Sequence, residues 1–384
     1  MTTYYETVCY IINEVEFSMY YGGLFESNKI RDAITHFVTN LCQAITLECP
    51  EFKCHPVLVG SAAEGTKGLL PNEYDFLIVF DELLEHFKVK EIGNEFIIIL
   101  NKDASFAPKS KITGLLRNFD DVHLLCAFEL KEHLNDMIFR FLNKNTQSIW
   151  TPLQMLNDGM VCEHDIKLSS DTRLTIDPSG FYTKKKRFST INLLWRGNVY
   201  KHMRICIDIV PSFKRDISHM LPSHYLLSQS SYLHIIVCGY PLNYQLGFSV
   251  IENHVMKKLP EYVRLGYGYA KGMRCSLVLS GVEGLEHIDN FEELISSYML
   301  KTCVMFLTKS TPKRACPIHW AIKIYDQLYE FVINGAIPNF FVDGDFIFKI
   351  DSPQLHLKVR QQHHLIVAVR QIRRVLKSKV NDII

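Results

Sequence analysis

The chain reads as an α+β protein in two parts: a mixed β-sheet entered by a long helix, then a helical region. Three observations predict this. Apolar residues recur at helical spacing from Asn28 to Glu48. Two strand-length apolar runs, Glu73–Phe80 and Met203–Val210, follow. From Ser223 onward helical patterns dominate, so the parts are placed at residues 1–215 and 216–384. No Pro/Gly/Ser-rich linker and no internal repeat separates them, which predicts tight packing with a site between the two.

The first helix carries Ile30, Ala33, Ile34, Phe37, Val38, Leu41 and Ile45 on one face, with Ser27 as its expected cap. Pro50 to Pro56 breaks it, and Val57 to Val59 begins a strand. Ile97 to Leu100 reads as a further strand and Asp121 to Asn143 as a helix. Leu168 to Ile176 and Ser189 to Trp195 are short β-rich runs around the turn signal Asp177-Pro178-Ser179-Gly180. The later helices are expected at Val250–Met256, Phe291–Leu307, Ile318–Ile333 and His363–Val380.

Chemistry concentrates in Leu58–Phe80, where a Gly60-Ser61 turn precedes Glu73 and Asp75 by about a dozen residues. Side chains alternate along a strand, so the two acids share one face and Tyr74 takes the other. Buried carboxylates are costly unless paired, and two side by side suit a divalent cation. Gly60 lets backbone approach a ligand closely, and Ser61 with neighbouring amides suits phosphate oxygens. Asp208 interrupts the second run, sharing a face with Cys206 and Val210; a third carboxylate on a neighbouring strand completes a two-metal set. Phosphate turn and paired carboxylates together point to nucleotidyl transfer.

Composition bounds the rest. An apolar content of 47% supplies a real core, and a formal net charge of +1 means that any polyanion must be met by a local patch. Lys29 and Arg31, and the run Lys184–Arg187, are the candidate patches. No uninterrupted apolar run is long enough for a membrane span, and the acidic N-terminus does not read as a leader, so a cytoplasmic, membrane-free protein is expected. Eleven scattered cysteines without a Cys-x-x-Cys pair fit a reducing compartment. Cys42, Cys49, Cys54 and His55 form the one cluster to weigh as zinc ligands, at a spacing that matches no common finger.

In order along the chain stand GSAAEGTKGLLPNEYDFLIVF, CIDIVPSF, QLGFS at Gln245–Ser249, LPEYVRLGYGYAKG, and SSYMLKT at Ser296–Thr302. This set resembles the cyclic GMP-AMP synthase and Mab-twenty-one nucleotidyltransferase group, over roughly residues 20 to 340. The resemblance implies a bilobed nucleotidyltransferase fold, with a mixed-sheet lobe, a long spine helix and a helical lobe completing the nucleotide pocket. It further implies that Gly60 and Ser61 hold triphosphate and that Glu73, Asp75 and Asp208 bind two magnesium ions, with manganese as a substitute. Tyr298 would stack on a nucleobase, Ser297 would touch donor phosphates, Ser249 would lie against the other nucleotide, and Lys67 and Lys301 would contact phosphate. The implied activity is synthesis of a cyclic dinucleotide from two nucleoside triphosphates (ATP, GTP or other) in innate immune sensing, activated by nucleic acid.

Two departures qualify the implication. Where the synthase presents Arg-x-Ser-x-Ser to the acceptor base, this chain has Gln245, Gly247 and Ser249, so a guanidinium that reads guanine is replaced by an amide. Only Cys275 lies between Gly239 and Thr302, so the zinc-binding insertion of the vertebrate synthase is missing and no structural zinc is expected. That points to the zinc-free animal receptors of the group, with double-stranded RNA favoured over DNA and a dimer forming on the activator. The competing readings are a catalytically inactive scaffold of the same family and a template-independent nucleotidyltransferase.

Overall fold

The computed structural model describes residues 6, 9–13, 23–66, 70–92, 95–101, 103, 110–119, 121–145, 174–176, 182–184, 189–200, 202–215, 233–237, 244–274, 276–288, 290–309, 314–342, 344–349 and 355–381. Lys67, residues 168–173 and residues 185–187 of the basic run lie outside them, and Lys184 closes a short strand. The architecture is mixed α+β, with a mixed sheet followed by a mainly helical region.

The first helix, α1, runs Gly23–Glu48 and buries the expected face, including Ile30, Ile34, Phe37, Val38 and Leu41. Each such side chain contributes about 1.5–3 kcal/mol by leaving water. Pro50, which has no N–H to continue the ladder, opens a separate short 3₁₀ turn over Pro50–Phe52. Ser27 is not the cap. The helix begins four residues earlier, because Glu26 in its first turn is drawn into the protein. Its carboxylate accepts from Trp195 Nε1 at 2.8 Å and from the backbone N–H groups of Asn198 and Val199 at 3.0 and 2.6 Å. Gly197 is required beside it, since an added Cβ would come within 1.5 Å of Glu26 Oε1.

After α1 come β1 (Cys54–Val59), a short helix α2 (Gly60–Glu64), β2 (Glu73–Phe80), β3 (Phe87–Ile92) and β4 (Glu95–Leu100). The hairpin β5 (Leu116–Phe119) and β6 (Val122–Leu125) leads into helix α3 (Ala127–Asn145). The helix expected from Asp121 therefore starts six residues late, because Asp121 adopts φ 61° in a hairpin turn and Leu124 and Leu125 belong to a strand. Then follow β7 (Leu174–Ile176), β8 (Tyr182–Lys184), β9 (Ser189–Trp195), β10 (Met203–Arg215), β11 (Leu233–Val237) and β12 (Tyr244–Gly247). The last two correct the expectation that strands fade after Ser223: both join the sheet, β11 antiparallel to β10 and β12 antiparallel to β11.

The main path through the sheet is β1-β2-β10-β11-β12-β4-β6-β5, and β9 lies along β10 beside β11. Strands β2 and β10 run parallel, whereas β1 pairs β2 and β9 pairs β10 antiparallel. One face of the sheet, with Tyr74, Phe76, Ile78, Phe80, Ile205, Ile207 and Ile209, packs in the core shared with α1 and α3. The other carries Asp75 and Asp208 and then a small apolar cluster of Leu77, Val79 and Val59, with Val210 and Val250 against it.

The helical region comprises α4 (Ser249–Lys258), α5 (Glu261–Gly272), α6 (Ser276–Leu279), α7 (Phe291–Leu294), α8 (Ser297–Leu307), α9 (Pro317–Ile333) and α10 (Leu355–Asn381). A small hairpin of β13 (Ala336–Pro338) and β14 (Phe346–Lys349), not anticipated from sequence, stands between the last two. The single helix expected over Phe291–Leu307 is two, because Ser296 caps α8 by accepting from Met299 N at 3.2 Å. A second large core, including Tyr267, Leu300, Val304, Tyr325, Leu328 and Ile372, binds these helices together. Among the described residues no helix is long and apolar enough to cross a membrane.

Burial alone raises the Glu26 carboxyl, but the Trp195 indole and the Val199, Asn198 and Tyr200 backbone groups outweigh it and hold the group below its ordinary range. A lowered folded value means that its stabilisation is full above the ordinary glutamate range and is lost as pH falls through the folded value. Glu26→Gln is expected to cost about 1.5–3 kcal/mol at neutral pH. In urea unfolding the gap between the two proteins should close in acid; a gap independent of pH would contradict this account of the α1 entry.

Candidate functional site

The strand registers place the predicted acids. Asp75 of β2 stands beside Asp208 of β10 in parallel register, Val59 of β1 flanks Asp75, and Thr190 of β9 flanks Asp208. Val59, Asp75, Asp208 and Thr190 thus form one row across four strands, each about 4.8 Å from the next. Partners in register point to the same side, so both aspartates rise from the face opposite the α1 core. Thr190 donates its hydroxyl to Asp208 Oδ1 at 2.6 Å, which fixes that carboxylate's rotation. Glu73 pairs with Cys206, one pleat further out on the same face, and is exposed.

Gly60 follows Val59 directly and closes over the row. Its φ of +70° is left-handed, and a Cβ there would lie 2.3 Å from Asp75 Oδ2, so the position excludes a side chain for two separate reasons. Ser61 is half-buried in α2, and its carbonyl accepts from the backbone N–H of Gly65, which ends the helix in the left-handed conformation. Carboxylate oxygens on adjacent strands fit a divalent cation in donor chemistry. Among the described residues, however, no three His, Cys, Asp or Glu side chains converge in ligating geometry. The acids are brought together as a pair with Glu73 outlying.

The other end of α2 holds a buried ionic group. Lys301 Nζ of α8 lies 2.5 Å from Glu64 Oε1 and 3.0 Å from Glu252 Oε2 of α4, and all three side chains are at most 9% exposed. Burial opposes the ammonium charge, but Glu252 and Glu64 overcome it and hold Lys301 well above the ordinary lysine range. Thr66 donates to Glu64 Oε2 at 3.0 Å, and Lys271 of α5 donates to the Thr66 carbonyl at 3.4 Å. Lys301, expected on phosphate, is therefore placed between two carboxylates that need its charge.

Tyr298 and Ser297 sit at the start of α8, half-buried. Burial, then the Glu252 carboxylate, push the Tyr298 phenol up, and its hydroxyl bonds to Glu252. The Ser297 carbonyl accepts from Tyr267 hydroxyl at 3.2 Å. Ser249 opens α4, and Asn253 one turn on donates to the Leu58 carbonyl at 3.3 Å, tying α4 to β1. Gln245 of β12 pairs with Ile236, which pairs with Ser212 of β10, so it shares the aspartates' face of the sheet. Counted from Asp208 it lies about 13 Å along β10 and about 10 Å across.

Sequence reading missed Thr190, Glu64, Glu252 and Lys271. One signal was available: Lys301 lies in the largely apolar stretch Tyr298–Leu307, and a lysine buried in such a helix requires paired acids. Arg264 of α5 also comes to the turn: its Nη1 is 3.8 Å from where a Cβ on Gly65 would stand, and its buried Nε has no hydrogen-bond partner. The weighed cysteines are core residues: Cys42, Cys49 and Cys54 are buried, and His55 pairs with Asp81 at 2.7 Å. Compared with protein-family models and with curated proteins, the chain matches none.

Lys301→Met leaves Glu64 and Glu252 buried without a counter-ion, and a loss of about 3–5 kcal/mol in urea unfolding is expected. Replacing both glutamates by glutamine in the same protein should recover most of it. Equal losses in the single and triple variants would mean that packing, not charge, holds α8 to α2.

Proposed function

We propose that the chain is a metal-dependent nucleotidyltransferase of the cyclic GMP-AMP synthase and Mab-twenty-one type, bilobed, that makes a cyclic dinucleotide from two nucleoside triphosphates. The observation that carries this reading is the Asp75–Asp208 pair in parallel register, with Gly60 closed against Asp75. Such a row offers two acids on rigid strands beside a turn that suits phosphate, whereas a purely structural role gives no reason to set like charges side by side.

In the transfer, an acceptor ribose oxygen attacks the α-phosphorus of the donor triphosphate, the new P–O bond forms, and pyrophosphate leaves. Asp208 takes the hydroxyl proton, its orientation set by Thr190. Asp75 and Asp208, with Glu73, would hold magnesium, whose chemistry is to neutralise charge on the triphosphate and acidify the acceptor hydroxyl. Gly60 and Ser61 receive triphosphate, and Arg264 and Lys271 add positive charge near the turn. Tyr298 and Ser297 face the donor, and Ser249 and Gln245 lie toward the second nucleotide. Repeating the transfer between the two nucleotides closes the ring. The reading includes a cytoplasmic protein of innate immune sensing that double-stranded RNA activates, with dimerisation on the activator.

A second reading, an inactive scaffold of the same family, is favoured by the outlying position of Glu73 relative to the two aspartates. Turnover decides between them. Incubation with four nucleoside triphosphates and magnesium, with and without double-stranded RNA or DNA, should yield pyrophosphate and a cyclic dinucleotide by mass analysis. Asp75→Asn and Asp208→Asn should each reduce this at least a thousandfold, about 4 kcal/mol of transition-state stabilisation, at unchanged melting temperature. Substantial turnover in either variant sinks the assignment, and no product under any condition favours the scaffold.

Gln245 generates a separate expectation about bases. Loss of a guanidinium removes a bidentate partner of guanine worth about 1–3 kcal/mol, by analogy with groove readout. Gln245→Arg should shift products from equimolar nucleotides toward guanine; identical product ratios would show that this position does not read the base.

A further inference from the structure

Helix α10 carries seven Lys or Arg and no Asp or Glu over Leu355–Asn381, in a chain whose formal net charge is only +1. Its apolar face is spent: Leu365, Ala368, Val369, Ile372, Val375 and Leu376 are buried in the helical core. Arg360, Arg370, Arg374 and Lys377 are exposed. At 100° per residue these four fall within an arc of about 100°, opposite the buried face, and span about 26 Å along the axis. Tyr329 of α9 orders part of the stripe: Arg370 Nε donates to its hydroxyl at 3.1 Å, and the guanidinium of Arg373 lies 4.3 Å from its ring centre. The acids placed against the helix are Asp326, bonded to Arg373 and Lys377, and Glu286, near His364 at the other end.

We infer that this exposed stripe of α10 is a docking surface for double-stranded nucleic acid. A straight row of cations on a rigid, already packed helix matches the regular phosphate charge of a duplex. An anionic membrane fits less well, because surface helices bind bilayers by inserting an apolar face, and no large apolar side chain described on α10 is exposed. Single strands bind through stacking aromatics, and Tyr329 lies under arginines instead. Of the sequence-based candidates, Lys29 and Arg31 offer two cations at the start of α1, with Asp32 3.6 Å from Arg31, and residues 185–187 lie outside the described residues. The inference extends the proposed activator reading by giving the polyanion a surface, and it is read without turnover.

The test is fluorescence anisotropy of the full chain with one labelled 20-base-pair sequence, as RNA and as DNA, across a salt series. Arg360→Gln, Arg374→Gln and Lys377→Gln combined should weaken duplex binding at least tenfold, and on DNA should flatten the slope of log affinity against log salt by about 2.7. Arg374→Glu alone, at an exposed position, should weaken it at least threefold with the melting temperature unchanged. Lys29→Gln with Arg31→Gln should leave affinity as it is. Wild-type binding to neither duplex, or equal affinity and slope in the combined variant, overturns the inference, as does a loss confined to phosphatidylserine vesicles. Asp75→Asn should bind duplex like the wild type, so absent turnover with normal duplex binding contradicts the enzyme reading alone, and normal turnover with unaffected variants contradicts this inference alone.

Discussion

The contact on which the site depends is the one between Lys301 and its two buried glutamates. Glu64 belongs to the short helix that follows β1, Glu252 to the helix that follows β12, and Lys301 to α8, so one ammonium ties three elements far apart in sequence. Unpaired, any of these charges would be too costly to bury; together they have one geometry in which each is satisfied. That geometry fixes one end of α2. Its other end is Gly60, closed on Asp75, and the five residues Gly60–Glu64 rise only about 6 Å. The position of the helical region is thereby transmitted to the aspartate row.

The row itself rests on the sheet. Alternation gives β2 and β10 one apolar face each toward α1, and the parallel register between them sets Asp75 beside Asp208. A one-residue slip of either strand would turn its aspartate into the α1 core and bring its apolar residues to the other face, so burial of Ile207 on β10 and of Phe76 on β2 specifies the placement of the acids.

Much of this was legible in the sequence. The helical period of α1, the doubly buried strand Phe76–Phe80 and the shared face of Glu73 and Asp75 follow from spacing alone. What failed was long-range in origin. Ser27 satisfies a local capping rule, yet Glu26 finds Trp195, 169 residues away, and the helix is extended to deliver it. Strands β11 and β12 are short and gain stability from ladders with distant strands, β11 on β10 and β12 between β11 and β4, which no local pattern announces. Lys301 was read as a ligand contact because its motif was read in one dimension; its apolar neighbours pointed to a buried partner.

On the proposed reading, Asp75 and Asp208, with Glu73, would hold divalent metal beside Gly60. Ferrous ion with ascorbate, added to the protein with a non-hydrolysable triphosphate, generates hydroxyl radicals that cut the backbone where the metal sits. The account predicts paired cuts near residues 60, 75 and 208, suppressed together by excess magnesium. Cuts at unrelated positions, or at only one of the two strands, would contradict it.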